Sequence, residues 1–462
     1  MTGRCLAALL LLASAGAGAQ GLSLPPVERV ELDNGAVLIL NEKHDVPMIA
    51  IHAMLRGGSV TDPDGKAGLA QLYTTLVSRG AGERDGNELA AVIDGAGATF
   101  DTSVELEATH YTMDFLARDA DLMIGVLADV LRRPTLDRSE FASVRTYLQN
   151  TIAAARDSDA RPLVPVYGAA FLFGDHPYGR PVTGDETTLA AITHRDVLGY
   201  QRDHVGADRL TLIVSGDFDA AVMRDKLVAA FADWTAAEAP LPDVPAPAQR
   251  AGGQVLLVDK PGAAQTYFWI GNVGVARSYE HPAELALANI LFGGRFTSML
   301  NYKLRTESGL TYHARSYLEQ PAQPGSVAIF SYTRTATTFE AIDMALGVLG
   351  RLHDSGVDAA MVESARNYFL GQFPPDIETA PQLAAMFADI ELYGLGDDYV
   401  DRYIAAIGDV DVASIAAVIG EVYPQRDELV FVILGDADAI RDGVTKYGSV
   451  TELSITEPRF SP

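Results

Sequence analysis

The strongest constraint on this chain is that it repeats itself. The segment LTLIVSGDFD, Leu210 to Asp219, returns as LVFVILGDAD, Leu429 to Asp438, at an offset of 219 residues (429 against 210). Gly216/Gly435, Asp217/Asp436 and Asp219/Asp438 coincide. Each copy reads as a buried strand closed by a Gly-Asp turn, and each follows a stretch of helical periodicity, Arg195 to His204 and Val412 to Tyr423. A second pair keeps the same order: Gly97-Ala98-Thr99-Phe100 lies opposite Gly309-Leu310-Thr311-Tyr312, a shift of 212 (309 against 97), and both glycines lead into alternating segments. A period above 200 residues marks a duplicated domain and not a solenoid.

Between the copies lies TAAEAPLPDVPAPAQRAGG, Thr235 to Gly253, whose Pro and Ala richness marks an exposed, semi-rigid linker. The expected organisation is a leader over residues 1–19, a first domain over 20–234, the linker over 235–253 and a second domain over 254–462. Each half opens with strands, Val30 to Leu40 and Met48 to Arg56 in the first, Gln254 to Asp259 and Gln265 to Val273 in the second. Each then runs through helices and closes on the Gly-Asp strand. That order predicts an α+β fold of two homologous α/β sandwich domains, each a sheet packed against helices, in place of alternating βαβ units.

Chemistry concentrates in GGRFTSMLNYKLRTESGLTYHARSY, Gly293 to Tyr317. Phe296, Met299, Leu300 and Leu304 recur at helical spacing, so a short helix is expected to bury that face and turn Arg305 elsewhere. It should stop at Gly309, since glycine tolerates the left-handed conformation of a helix C-terminus. Leu310 to Tyr317 then alternates as a strand. Arg305 and Tyr312 are thereby expected to face one cleft, a fork of donors beside a hydroxyl on a rigid ring, suited to the carbonyls of an extended peptide. Spacing alone fits, and fits better, an Arg that complements a helix dipole and a packed Tyr. The paired Gly293 and Gly294 allow close backbone approach.

The charge balance is 35 basic against 61 acidic residues, a net −26, with 48% apolar and only 21% charged residues, which argues against disorder. Such a surface repels nucleic acid and anionic membranes. The first residues, MTGRCLAALLLLASAGAGAQ, read as a secretory signal with cleavage after Ala19, placing the mature protein in the periplasm or outside the cell. Its loss takes Arg4 and Cys5, leaving no cysteine for a disulfide, a thiol nucleophile or a thiolate metal site. Other candidates point to structure: His281 heads a helix, and His110 and His176 fit scaffold roles.

Taken in order, these features resemble the pitrilysin and insulinase family of zinc peptidases, which includes the mitochondrial processing peptidase. Besides the Gly293–Tyr312 stretch, the resemblance rests on GLAQLYTTL at Gly68 to Leu76, HPYGRPVTGDE at His176 to Glu186 and FPPDIETAPQLAAMFADIELYGLGDDYVDRY at Phe373 to Tyr403, and it covers nearly the whole mature chain. The family's zinc motif, H-x-x-E-H, falls on Gln71-Leu72-Tyr73-Thr74-Thr75, where Gln71, Thr74 and Thr75 are expected on one helical stripe opposite the apolar Leu69, Leu72, Leu76 and Val77. An amide and two hydroxyls cannot replace imidazole and carboxylate ligands, and Thr74 cannot act as the general base. A third ligand is expected near Gln149 to Thr151, yet no Asp or Glu lies between Phe141 and Arg156.

In two-subunit bacterial members of this family, one chain lacks the metal motif and supplies an Arg and a Tyr from its second half. The resemblance places those roles on Arg305 and Tyr312, and implies a heterodimer in which a homologous partner holds the zinc. A second reading is a catalytically inactive peptide-binding or assembly module of the same fold, as scaffold-like relatives in respiratory complexes are. A third is a homodimer enclosing only a binding cavity.

Overall fold

The computed structural model describes residues 24–354 and 356–462, so the expected leader lies outside the described residues. Two six-stranded sheets organise it. The first contains β1 (Glu28–Glu31), β2 (Val37–Glu42), β3 (Met48–Arg56), β4 (Thr99–Val104), β5 (Ala108–Leu116) and β6 (Leu210–Gly216), in the spatial order β1-β2-β6-β3-β5-β4. The second contains β7 (Gln254–Asp259), β8 (Gln265–Val273), β9 (Ala314–Leu318), β10 (Ser326–Arg334), β11 (Val430–Gly435) and β12 (Ser449–Ser454), in the order β9-β10-β8-β11-β7-β12. Most neighbours in both sheets run antiparallel; β2 with β6, β7 with β11 and β7 with β12 are parallel.

The duplication is visible strand by strand. β3 and β8 are nine residues each, as are β5 and β10, and β6 and β11 occupy the same slot beside them. Gly97 and Gly309, matched in sequence, both take positive φ, +62° and +66°, as a left-handed stop before the next extended segment requires. The symmetry fails at one edge, where β1 precedes its sheet antiparallel to β2 and β12 follows its sheet parallel to β7. The segment expected as one strand from Val30 to Leu40 is two, folded back at Gly35, whose φ of +89° makes the turn.

Four helices place what matters for function: α1 (Leu69–Val77), α2 (Arg138–Asp157), α3 (Val164–Phe173) and α4 (Ala380–Tyr393). The last two occupy matching positions in the repeat and are exchanged. α3, from the first half, lies across β8 and β11 of the second sheet. Gly168 makes that approach possible, because a Cβ there would stand 2.9 Å from the buried ring of Trp269. α4, from the second half, covers β3 and β6 of the first sheet, setting Leu383, Ala384, Phe387 and Ala388 on Ile39, Met54, Ala108 and Ile213. The largest apolar core accordingly runs through both halves, from Leu38 and Phe115 to Trp269, Val432 and Phe460. The stretch between Phe231 and Gln254 carries no helix or strand and is tied to the surface, with Ala237 N–H donating to Asp208 Oδ1 at 2.7 Å and His176 Nε2 beside the Pro245 carbonyl at 2.8 Å.

Candidate functional site

The Gly293–Tyr317 stretch is less regular than its periodicity implies. Met299–Asn301 is a single α turn, and Tyr302–Glu307 widens into a π turn before Ser308 and Gly309 end it. π turns are rare and tend to occur at functional sites. Leu300 and Leu304 are buried as expected, but Phe296 is not: it is 63% exposed. Its ring serves Arg305, whose guanidinium carbon lies 4.7 Å from the Phe296 centroid and 4.2 Å from that of Tyr312. Each such stack contributes roughly 0.5–1 kcal/mol at an exposed site. The cation is therefore held between two rings with its N–H fork free, and it has no acidic partner among the described residues.

Tyr312 does not sit inside a strand either. The strand begins at Ala314, and Leu310–His313 forms a bend that leaves Tyr312 71% exposed. Side chains hold that bend where strand pairing would otherwise run. Thr333 Oγ1 donates to the Leu310 carbonyl at 2.7 Å, and Ser331 Oγ to the His313 carbonyl at 2.8 Å. Thr311 Oγ1 accepts from the His313 N–H at 3.1 Å. With the two carbonyls satisfied from β10 and the His313 N–H satisfied within the bend, the chain turns outward and presents the phenol to solvent.

Sequence reasoning passed over the residue that joins the two rings. Asn301 is buried; its Nδ2 donates to the Phe296 carbonyl at 2.7 Å, and its Oδ1 accepts from the Ala314 N–H at 3.3 Å. One amide thus pins the segment bearing Phe296 to the segment following Tyr312, with Arg305 between them. The available signal was Ser298, whose Oγ caps the turn by accepting from the Asn301 N–H at 3.4 Å. Gly293 belongs to the scaffold: a Cβ there would overlap the Ser316 backbone nitrogen, so the close approach it permits is to β9 of its own chain. Gly294 beside it is exposed.

α1 forms as expected, with Leu69, Leu72, Leu76 and Val77 buried, but the opposite stripe is not uniform. Thr74 is fully buried, against Tyr111, while Gln71 and Thr75 are partly exposed and bond each other: Gln71 Nε2 donates to Thr75 Oγ1 at 3.1 Å, and that hydroxyl donates to the Gln71 carbonyl at 2.8 Å. The helix start is set by Asp62, a buried carboxyl accepting the N–H groups of Gly68 and Ala70, both at 2.8 Å. Burial pushes Asp62 up to about 7 against those bonds. On α2, which packs against α1, Gln149 and Thr151 offer no carboxylate, and Thr151 Oγ1 donates to its own helix at Tyr147. These side chains do not fit zinc, and no group of three or more His, Cys, Asp or Glu is placed to hold a metal ion among the described residues.

Three other histidines singled out in the sequence lie away from the Arg305–Tyr312 pair. His281 precedes the helix Pro282–Asn289, His176 accepts from the Tyr178 N–H at 3.1 Å, and His110 Nδ1 pairs with His52 Nε2 at 2.8 Å.

The chain matches two models of one family, "Insulinase (Peptidase family M16)" over residues 37–186 and "Peptidase M16 inactive domain" over residues 191–369. The first match contains Gln71–Thr75 and the second Arg305 and Tyr312. An uncharacterised zinc protease of Streptomyces coelicolor is 24% identical over 408 residues, covering 87% of this chain and 88% of its own length. One from Mycobacterium leprae is 24% identical over 348 residues, covering 74% and 77%. In fold, the chain is similar to a peptidase M16 inactive domain from Pseudomonas fluorescens, with a TM-score of 0.82, 19% identity and 89% and 98% of the two chains covered. A protease from Helicobacter pylori superposes with a TM-score of 0.80 at 17% identity, covering 89% and 100%.

Proposed function

The chain belongs to the insulinase family of peptidases, family M16, and from that premise we propose that it is the metal-free subunit of a two-chain, zinc-dependent endopeptidase. The asymmetry between its halves carries this reading. In the first half, the two histidine positions of the zinc motif hold an amide and a hydroxyl bonded to each other, and the position of its general base holds a buried threonine. In the second, Arg305 and Tyr312 are built into an exposed, oriented pair with no acidic partner. A chain that had become a mere scaffold has no use for such a pair.

A homologous partner bearing H-x-x-E-H would supply the zinc, which activates water and polarises the scissile carbonyl. This chain's contribution is binding. The Arg305 fork and the Tyr312 hydroxyl donate to carbonyl oxygens of an extended peptide, and the two rings flanking Arg305 keep its donors aimed without the entropy a free arginine would lose. Because those donors are charged or fixed, they also suit an oxygen on which negative charge develops. The leader-like N-terminus supports action on peptides in the periplasm or outside the cell.

The test is to purify the mature chain alone and together with the product of an adjacent gene encoding the zinc motif, then assay peptide cleavage and bound metal. The expected result is cleavage and zinc in the mixture only, with Arg305→Ala and Tyr312→Phe each lowering kcat/KM by about tenfold or more, as loss of a charged or fixed donor does. Cleavage unaffected by both changes would overturn the assigned roles.

A further inference from the structure

Arg305 is not the only cation gathered at this edge of the second sheet. The chain carries 61 acidic residues, and many of its arginines lie on carboxylates, as Arg84 does on Asp129, Arg224 on Glu28 and Arg441 on Glu452. Arg315, like Arg305, has no such partner among the described residues. It lies on β9, the outermost strand of its sheet, exposed together with Tyr317 while Ala314 and Ser316 are buried. Its register partner is Phe330, against which the Tyr317 ring packs at 5.8 Å.

The first half reaches the same place. Two residues along β10 from Phe330, Tyr332 lies 5.6 Å from the ring of Tyr267. The Tyr267 hydroxyl meets Asp159 Oδ1 at 3.3 Å, and the other oxygen of that carboxylate pairs with Arg161 at 3.0 Å. Asp159 is engaged by Arg161 and Tyr267, so Arg161 enters this group as one half of an ion pair, while Arg305 and Arg315 have no acidic partner among the described residues. Amid these cations stands the partly buried His313, whose imidazole is held below its ordinary range first by burial and then by the fields of Arg315, Arg305 and Arg161.

We propose that Arg315 and Arg161 form a subsite for an acidic side chain of the bound peptide, next to the Arg305–Tyr312 grip; the inference rests on the peptide-binding reading above. Three residues at about 3.3 Å each set an upper limit of roughly 10 Å between Tyr312 and Arg315, less for the bend at Leu310–His313, so Arg315 meets a side chain within two or three residues of the one held at Tyr312. A guanidinium takes a carboxylate through paired, charge-assisted hydrogen bonds, which a glutamine side chain matches only weakly and a lysine opposes. The net charge of −26 repels an acidic peptide at a distance, but screening over about 8 Å at physiological salt leaves the local cluster to decide once the peptide is docked.

The experiment uses the purified mature chain and fluorescein-labelled, alanine-rich peptides carrying one Phe and, three residues to either side, Glu, Gln or Lys, with affinity read by fluorescence anisotropy. The expected result is a preference for Glu over Lys of about tenfold, fading with salt and falling to within about twofold in the R161Q/R315Q double variant. Equal binding of all three peptides, with R305A weakening them alike, would overturn the acidic subsite while leaving the grip in place. A Glu preference that survives R161Q/R315Q would also overturn it. Failure of every peptide to bind would remove the grip and the subsite together.

Discussion

Asn301→Ala tests whether the ring-flanked arginine is held by a single amide. The substitution removes the bond to the Phe296 carbonyl and the bond from the Ala314 N–H, each contributing about 1 kcal/mol net. The two groups left behind are not equivalent. Phe296 is exposed, so its carbonyl can turn to water; Ala314 is buried, so its N–H stays dry and costs a further 1–3 kcal/mol or so. The expected loss is therefore about 3–5 kcal/mol, nearer the upper end if the small void does not close. Asn301→Asp is more informative still. It keeps the acceptor for Ala314 but replaces a donor with a carboxylate oxygen facing the Phe296 carbonyl, so it should be at least as destabilising at neutral pH and recover in part in acid as the group takes up a proton. Denaturant titration followed by circular dichroism measures both. If Asn301→Ala lies within about 0.5 kcal/mol of the parent, the amide is not the clamp, and the positions of Phe296 and Tyr312 are set by the side chains of β10 alone.

Two further outcomes follow from burial. Gly168→Ala gains up to about 1 kcal/mol of helix propensity, but its methyl meets the Trp269 ring at 2.9 Å, and overpacking of a rigid core costs about 1–3 kcal/mol. A net loss of stability is expected, and a thermal midpoint above the parent's would refute that packing. His52 is driven down to about 4 by burial and by the neighbouring His110, so the folded state resists a proton that the unfolded chain accepts below its ordinary 6.5. Stability from this group is present above pH 6.5 and disappears as the pH falls through 4. The amount is about 3 kcal/mol, and His52→Gln should flatten that part of the pH profile of unfolding.

Much of this architecture was legible in the residues. The Gly-Asp strands at Leu210 and Leu429 are true equivalents, the stop at Gly309 is real, and α1 keeps its apolar face. Other features depend on partners that are distant in sequence. Alternation from Leu310 onward looked like strand, but Thr333 and Ser331 on β10 take the carbonyls that pairing would have used. Phe296 fitted a helical face by spacing and is withdrawn from it to stack on Arg305. Thr74 shared a stripe with Gln71 and Thr75, yet the nearby Tyr111 encloses it and leaves the other two partly open. The exchange of α3 and α4 has no local signature at all, because periodicity says that a helix is amphipathic and not whose sheet it covers.

That exchange bears on how the protein can be cut and how it can move. A fragment comprising only residues 254–462 would expose Trp269, Phe330 and Val432 where α3 now lies, and one ending before the linker would bare Ile39, Met54 and Ile213. Neither piece has a finished surface, so dissection at the linker should give insoluble fragments that recover only when co-expressed. For the same reason the two halves cannot swing apart as a hinged shell would: each is the other's lid, and any movement between them must come from small sliding of these two helices.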